Sequence, residues 1–382
     1  MMRSGRLLVP WYRYPPFRQE GIGGLSVAIW DITRELAQRG VIVDVLTPIS
    51  NEGEPNETHS GVGVVSSKLG ERFRRNQPLR KDESKFLDGY DAILSVANYG
   101  ARTLRSYNRG FGRITRQIHT IGQDRQIDTY VSLRPTIVEY LKMVEARRND
   151  RRLLRLLTGS KTICVSGYLK DIMECCNLDS SKNLFTIPNG VQTEIFRPMD
   201  MEKKYDLLFV GRFQKAKGLD LLLRSLSVLQ NSWGETYRLG IVGEFTNGQR
   251  SFILNTAPNA VRDGVTFLGP VQREEMPKTI NSGKLVIVPS RHESFSLPAL
   301  EALACGIPVL AAAVGGLPDL VDQTVGALVK PDDDQALANG IYSSTRDAAL
   351  AKRAAINGPL KAQHYDWKVI APQILQVLFS QL

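Results

Sequence analysis

A doubly wound α/β architecture, present twice, is the fold class predicted for this 382-residue chain, and three observations predict it. Short apolar runs rich in Val, Ile and Leu alternate with helical patterns, first as RLLVP, VIVDVLTP, DAILSVA, TICVSGY and LFTIP, then as DLLFVGR, YRLGIVG, VTFLGP and LVIVPS. Such alternation is the signature of parallel sheets wound by helices. The series breaks at PNGVQTEIFRPMDMEKKYD, residues 188–206, a polar stretch with Gly and two prolines that fits a linker. The length is enough for two domains with self-sufficient cores. The expected plan is therefore a domain over residues 1–187, a second over 188–362 and a terminal helix over 363–382.

Taken in chain order, MMRSGRLLVPWYRYPP has too short an apolar run for a signal peptide and reads as the first strand. In GIGGLSVAIWDITRELAQRG, Gly21, Gly23 and Gly24 precede an amphipathic helix. A glycine loop at a helix start presents N–H groups to a phosphate, and it equally makes a plain turn. His119, in RQIHTIGQDRQ, follows a strand, with Asp124 and Asp128 close behind; a lone His is more often packed or surface-exposed than functional. DLLFVGRFQKAKGLDLLLRSL reads as strand, cationic loop and helix. Arg212 and Lys217 there can converge on a diphosphate, Arg as a fork and Lys as a mobile point charge, with Lys215 a bystander, although basic loop residues are more often plain surface.

The most informative stretch is KLVIVPSRHESFSLPALEALACGIPVLAAAVGG. KLVIVPS is a strand buried on both faces. Ser296 supplies an N-cap oxygen, Pro298 suits the first helical turn, Leu297, Leu300 and Ala304 give one packed face, and Gly306 ends the helix. Ile307–Ala313 begins the next strand. Glu293 then falls at the carboxyl end of a parallel strand, where open α/β sheets bind ligands, and Glu301 lies one turn into the helix. Free N–H groups at the helix start favour an anion, while carboxylates accept hydrogen bonds from hydroxyls. A phosphate flanked by polyols fits, which is a sugar nucleotide.

Composition narrows the classes. Cys164, Cys175, Cys176 and Cys305 show no CxxC spacing, so neither a disulfide framework nor a zinc site is expected, and a cytoplasmic setting is. No run reads as a membrane span. The net charge of +10 sits in the first half, with 29 Lys+Arg against 20 Asp+Glu up to residue 190 and 20 against 19 beyond. Two clusters carry it: Arg72, Arg74, Arg75, Arg80 and Lys81, then Arg147, Arg148, Arg151, Arg152 and Arg155 beside four leucines. They suit peripheral contact with an anionic membrane at its inner face or an acidic acceptor, or else form a solvated helix face beside a packed one. Nucleic acid is a poorer fit, because no aromatic stacking module accompanies the charge.

The residues RHESFSLPALEALACGIPVLAAAVGG resemble the family 4 retaining glycosyltransferases, whose E-x7-E signature sits in text of the form PSxxExFGLPxLEAxAxGxPVxAxxxGG. The resemblance extends over about residues 5 to 375 and includes IPNGV at the linker, GRxxxxKG at Arg212 and Lys217, and the GG loop. It implies the GT-B architecture, two Rossmann-like domains facing across a deep cleft with the last helix packing back across it. It implies that Glu293 contacts donor-sugar hydroxyls near the reacting carbon and that Glu301 binds the ribose. Ser294, Phe295, Ser296 and Leu297 would join the donor site, Arg212 and Lys217 would hold the diphosphate, and Gly23 and Gly24 would lie against the donor phosphates and the acceptor opening. His119 would line the acceptor side of the sugar. FLGPVQREEM resembles the loop that holds the base, largely through main-chain groups.

Three departures stand out: Ser296 for the usual Gly, Asp319 for Glu, and Gln192 for Asp. The resemblance also implies that no catalytic metal is used, so Asp332 to Asp334 are expected to start a helix. No cofactor is expected, the sugar nucleotide being a substrate. The implied activity is transfer of a sugar from a nucleotide diphosphate, most often a UDP-sugar, to a hydroxyl of a glycolipid, polysaccharide or small natural product by a same-face mechanism. A sugar-nucleotide epimerase of the same architecture and a non-catalytic nucleotide-sugar-binding protein are the alternatives.

Overall fold

The computed structural model describes residues 5–11, 24–48, 57–96, 99–107, 111–119, 152–255 and 257–380. Gly21, Gly23, Asp124, Asp128, Arg147, Arg148 and Arg151 lie outside the described residues. Two units emerge. The first holds the described residues up to Gly190 together with those from Trp367 onward, and the second holds Val191–Asp366.

The first unit is built on β1 (Arg6–Pro10), β2 (Ile42–Pro48), β3 (Glu57–His59), β4 (Val62–Ser67), β5 (Ala92–Val96), β6 (Ile114–Ile118), β7 (Lys161–Cys164) and β8 (Leu184–Thr186). Their order is β3-β4-β2-β1-β5-β6-β7-β8, and every pairing is parallel except β3 with β4 at the edge. The edge pair was not legible as strand, because VGVVSS mixes Gly and Ser into its apolar pattern and only part of it is buried. The helix Gly24–Gln38 packs Ile29, Ile32 and Leu36 against the sheet, and the helix Trp367–Phe379 adds Trp367, Ile370, Ile374 and Leu378 to the same core. Gly190 permits this approach, since a Cβ there would stand 2.4 Å from the Trp367 ring. Lys161 Nζ secures the helix end by donating to the Val377 carbonyl at 2.8 Å.

Strand β6 reads as ITRQI, yet all five residues are buried. Arg116 is tolerated there because each of its three nitrogens has a partner: Nε reaches Thr162 Oγ1 at 3.0 Å, one terminal nitrogen reaches the Leu154 carbonyl at 2.7 Å, and the other pairs with Asp179. Three cations of the first basic cluster are ion-paired within the unit. Arg72 pairs with Glu83, and Arg74 and Arg75 pair with Glu71. Arg152 and Arg155 are exposed on a helical stretch, 152–156, where Leu154 is buried, as is Leu157 just after it. All four cysteines are free, and burial pushes the Cys164 and Cys305 thiols up to about 12.

The second unit carries β9 (Tyr205–Val210), β10 (Leu239–Val242), β11 (Val265–Gly269), β12 (Gly283–Val288), β13 (Val309–Ala312) and β14 (Gly326–Val329), all parallel in the order β11-β10-β9-β12-β13-β14. The chain winds outward from β9 to β11, then restarts beside β9 with β12 and winds the other way. Loops leaving β9 and β12 therefore diverge to opposite layers and open a crevice at their carboxyl ends. One face of the sheet is covered by Leu219–Trp233 and Asp334–Arg346, which share a core with Leu207, Phe209, Ile241, Leu285 and Ile287. The other face carries Leu297–Ala304, packed on Ala348–Gln363. Ala299 through Ala304 are all buried, so this helix is enclosed on every side rather than along the single face its apolar spacing suggests.

Candidate active site

Two loops at the switch point between β9 and β12 bring the cationic and acidic candidates together. After β9, residues 211–214 lead into a tight turn, Lys215–Lys217, and Gly218 takes a left-handed φ of +72° before the helix Leu219–Trp233. Only glycine fits, because a Cβ on Gly218 would stand 1.9 Å from the Pro289 carbonyl oxygen of the neighbouring loop. That approach sets Lys217 Nζ 2.7 Å from Glu293 Oε2. Ser290 Oγ lies 3.4 Å from the same oxygen, and the Glu293 carbonyl accepts from Gly316 N at 3.0 Å.

The two loops are fixed by groups the sequence did not mark. Arg291 N donates to the Ala216 carbonyl at 2.8 Å and its guanidinium to the Lys215 carbonyl at 2.8 Å. The same guanidinium grips both Asp220 oxygens, at 2.7 and 2.8 Å, and Asp332 at 2.7 Å. Arg224 links Asp220 to Asp334. Burial works against the charge on Asp220, but hydrogen bonds from Arg291 and then Arg224 hold its carboxyl below the usual range. The acidic run thus has three separate duties: Asp332 faces Arg291, Asp334 faces Arg224, and Asp333 caps the helix Asp334–Arg346 by accepting from Ala336 N at 2.9 Å. Among the described residues no three His, Cys, Asp or Glu side chains gather as a metal-ligand set. The Arg291–Asp220 pair spans 71 positions, so no local pattern announced it.

Arg212 projects from the β9 loop, exposed, and among the described residues its guanidinium has no hydrogen-bond or ion-pair partner. Ser294, Phe295 and Ser296 are buried between Glu293 and the helix. Ser296 Oγ accepts from Ala299 N at 3.4 Å, so this hydroxyl, which replaces the usual Gly, is turned into the helix cap. Ser294 Oγ is buried without a hydrogen-bond partner. Leu297 opens the helix, half-buried. Phe295 lies 6.2 Å from the Tyr365 ring, whose hydroxyl is pushed up by burial and then by Asp319. Glu301, one turn on, is only 4% exposed and is ion-paired with Arg273. No local pattern points to that pairing, which joins two residues 28 positions apart.

The remaining candidates belong to the first unit. Gly24 is the first residue of its helix. His119 follows the last residue of β6; its Nε2 edge is shielded and, among the described residues, has no hydrogen-bond partner, although the residue as a whole is half-buried. Burial lowers this imidazole from 6.5 to about 3, so it is neutral near pH 7. Between those values the unfolded chain takes up a proton that the folded chain refuses, and stability falls as pH drops from 6.5. Replacing His119 with Asn is expected to flatten that fall, read as urea midpoints between pH 7 and 4; an unchanged slope would show that the imidazole is not buried neutral.

Among the described residues no helix is long and apolar enough to cross a membrane. Comparison with known proteins assigns the two halves separately. Residues 22–195 match the model of Glycosyltransferase Family 4, and residues 191–361 match that of Glycosyl transferases group 1. A D-inositol 3-phosphate glycosyltransferase of Acidothermus cellulolyticus is 27% identical over 93% of this chain and 85% of its own length, and one from a Mycobacterium species is 28% identical over 89% and 83%. The fold is shared with sucrose-phosphate synthase of Thermosynechococcus elongatus (TM-score 0.78, 21% identity, 98% of each chain). It is shared too with Anabaena HepE, solved with UDP-glucose (TM-score 0.73, 20% identity, 98% of this chain and 100% of that one). With matched models running through both halves and a GT-B fold throughout, the chain belongs to the family 4 retaining glycosyltransferases, enzymes that transfer a sugar from a nucleotide-sugar donor.

Proposed function

We propose that the donor is a UDP-sugar and that its diphosphate lies over the β9 loop between Arg212 and Lys217. The observation that carries this reading is the Lys217–Glu293 pair at the switch point, with Arg212 on the same loop. Lys217 has three N–H donors, and the contact with Glu293 uses one. A phosphate beside the lysine and a sugar hydroxyl beside the carboxylate would each find a partner of the right kind. Ser294 and the helix start at Leu297 offer further donors to the phosphates, and Glu301 accepts from the ribose hydroxyls.

In the proposed reaction the bond from the anomeric carbon to the diphosphate breaks and its electron pair goes to the phosphate oxygen. The acceptor oxygen bonds to that carbon on the same face, and the acceptor proton passes to the departing phosphate. Arg212 and Lys217 meet the charge that grows on the diphosphate, the role for which a metal ion is otherwise used, while Glu293 stabilises the positive sugar ring. The linkage keeps the donor's configuration. Gly24 and His119 are proposed to serve the acceptor side. An acceptor hydroxyl on a small polyol or sugar carrying negative charge suits the cationic first half, and the relatives that act on D-inositol 3-phosphate make that compound the first to try.

A thermal-shift panel with UDP, GDP, ADP and NAD tests the donor, since a ligand at about 100 times its Kd adds about 2.7 kcal/mol of stability. A shift with UDP alone supports the reading, and a shift with another nucleoside diphosphate reassigns the base. No shift, or one with NAD only, removes the donor site. Turnover of labelled UDP-glucose with D-inositol 3-phosphate then reports transfer, whereas release of free nucleotide and sugar without a glycoside would favour an epimerase.

A further inference from the structure

Glu301 is a carboxylate enclosed in a helix that is buried all round, and something must both offset its charge and fix its direction. Arg273 does so from the loop after β11. Its guanidinium is ion-paired with Glu301 and lies over the Phe196 ring, the Cζ atom 4.4 Å from the ring centroid. Phe196 is buried in the segment that opens the second unit. That platform is itself pinned: Phe196 N donates to the Gln192 carbonyl at 2.9 Å, and Asn281 takes Met199 N at 2.9 Å while giving its amide to the Arg197 carbonyl at 3.0 Å. Asn281 ends the helix Met276–Asn281 that starts three residues after Arg273. Loop, ring and carboxylate are thus held in one stack by three elements of the same unit.

We propose that Arg273 is a positioning residue for nucleotide recognition, which sets Glu301 so that both ribose hydroxyls can donate to it, with Phe196 keeping the guanidinium in plane. The inference rests on the reading of Glu301 as the ribose acceptor and goes beyond it by naming the residue that gives the carboxylate its geometry. A carboxylate so fixed distinguishes a ribose from a 2′-deoxyribose, because one of two charge-assisted hydrogen bonds is lost with the hydroxyl. A carboxylate free to turn would accept equally well from the hydroxyl that remains. An ammonium in place of the guanidinium would restore charge without the planar fork or the ring stack.

The test is calorimetric binding of UDP, GDP and ADP, each against its 2′-deoxy counterpart, to the full chain. The ratio of affinities within a pair is independent of the fraction of protein that is folded. Wild type is expected to bind the preferred ribonucleotide about tenfold tighter than its deoxy form, the scale of one charge-assisted hydrogen bond. Arg273→Ala and Glu301→Gln should bring the ratio towards one, with Arg273→Lys and Phe196→Leu between. If Glu301→Gln removes the discrimination and Arg273→Ala keeps it, the positioning role is overturned and the ribose reading stands. If wild type discriminates in no pair, the ribose reading falls and the inference with it.

Discussion

Lys217→Ala is expected to lower kcat by about 10²- to 10³-fold, the scale of removing one preorganised donor from a developing oxyanion, while KM for the donor changes only a few-fold. The asymmetry follows from when the charge appears. In the proposed pose the ground-state diphosphate is shared by Arg212, Lys217 and the helix start, so losing one cation costs binding little, but the bond from sugar to phosphate places its electron pair on one oxygen only as it breaks. A cation 2.7 Å from Glu293 would then stand at the junction of the two groups that separate, and its interaction would grow along the reaction. Arg212→Ala should follow the same pattern. Steady-state kinetics with initial rates at several donor concentrations decide it. Equal losses in kcat/KM and in donor affinity, with kcat preserved, would mean that Lys217 merely binds. Lys217→Arg is informative as a partner, since it keeps the charge but replaces a mobile ammonium with a planar fork.

Arg116→Ala is expected to destabilise the first unit by about 3–5 kcal/mol, the usual cost of leaving one member of a buried ion pair alone. Both side chains of the Arg116–Asp179 pair are 1% exposed. Asp179 also accepts from Ser180 N at 2.8 Å and from the Asn183 amide at 3.0 Å, so it cannot be replaced by an apolar residue without orphaning those donors. Arg116→Met with Asp179→Asn should cost less than Arg116→Ala alone, because no unpaired charge is left inside and the acceptor oxygen is retained. Urea unfolding with the slope held constant measures both. A loss below about 1 kcal/mol for Arg116→Ala, the range of an exposed pair, would show that water reaches the site.

This pair also shows why the sequence read some parts of the chain and missed others. Strands such as LVIVPS and DLLFVG were legible because a parallel strand covered on both faces must be apolar throughout, a constraint that acts residue by residue. β6 violates that constraint with Arg116 and Gln117; Arg116 is met by Asp179, which lies 63 positions away, while Gln117 Oε1 is buried with no hydrogen-bond partner among the described residues. The helix cap at Ser296, the helix start at Asp334 and the turn at Gly218 were likewise written locally, as a hydroxyl, a carboxylate and a residue without a Cβ.

The sequence alone determined the class of fold and the twofold repeat of the α/β pattern, which follow from periodicity. Through its family resemblance it also singled out Arg212, Lys217, Glu293 and Glu301, the groups proposed here to carry the chemistry. The tertiary structure decided which partner each group meets. It placed Lys217 on Glu293, Arg273 on Glu301 and Arg291 across both loops, and it brought the terminal helix into the core of the first unit. Charges on different loops carry no mutual signal in the chain, because their pairing depends on strand order, and strand order is set by how two sheets wind and not by the order in which their residues are written.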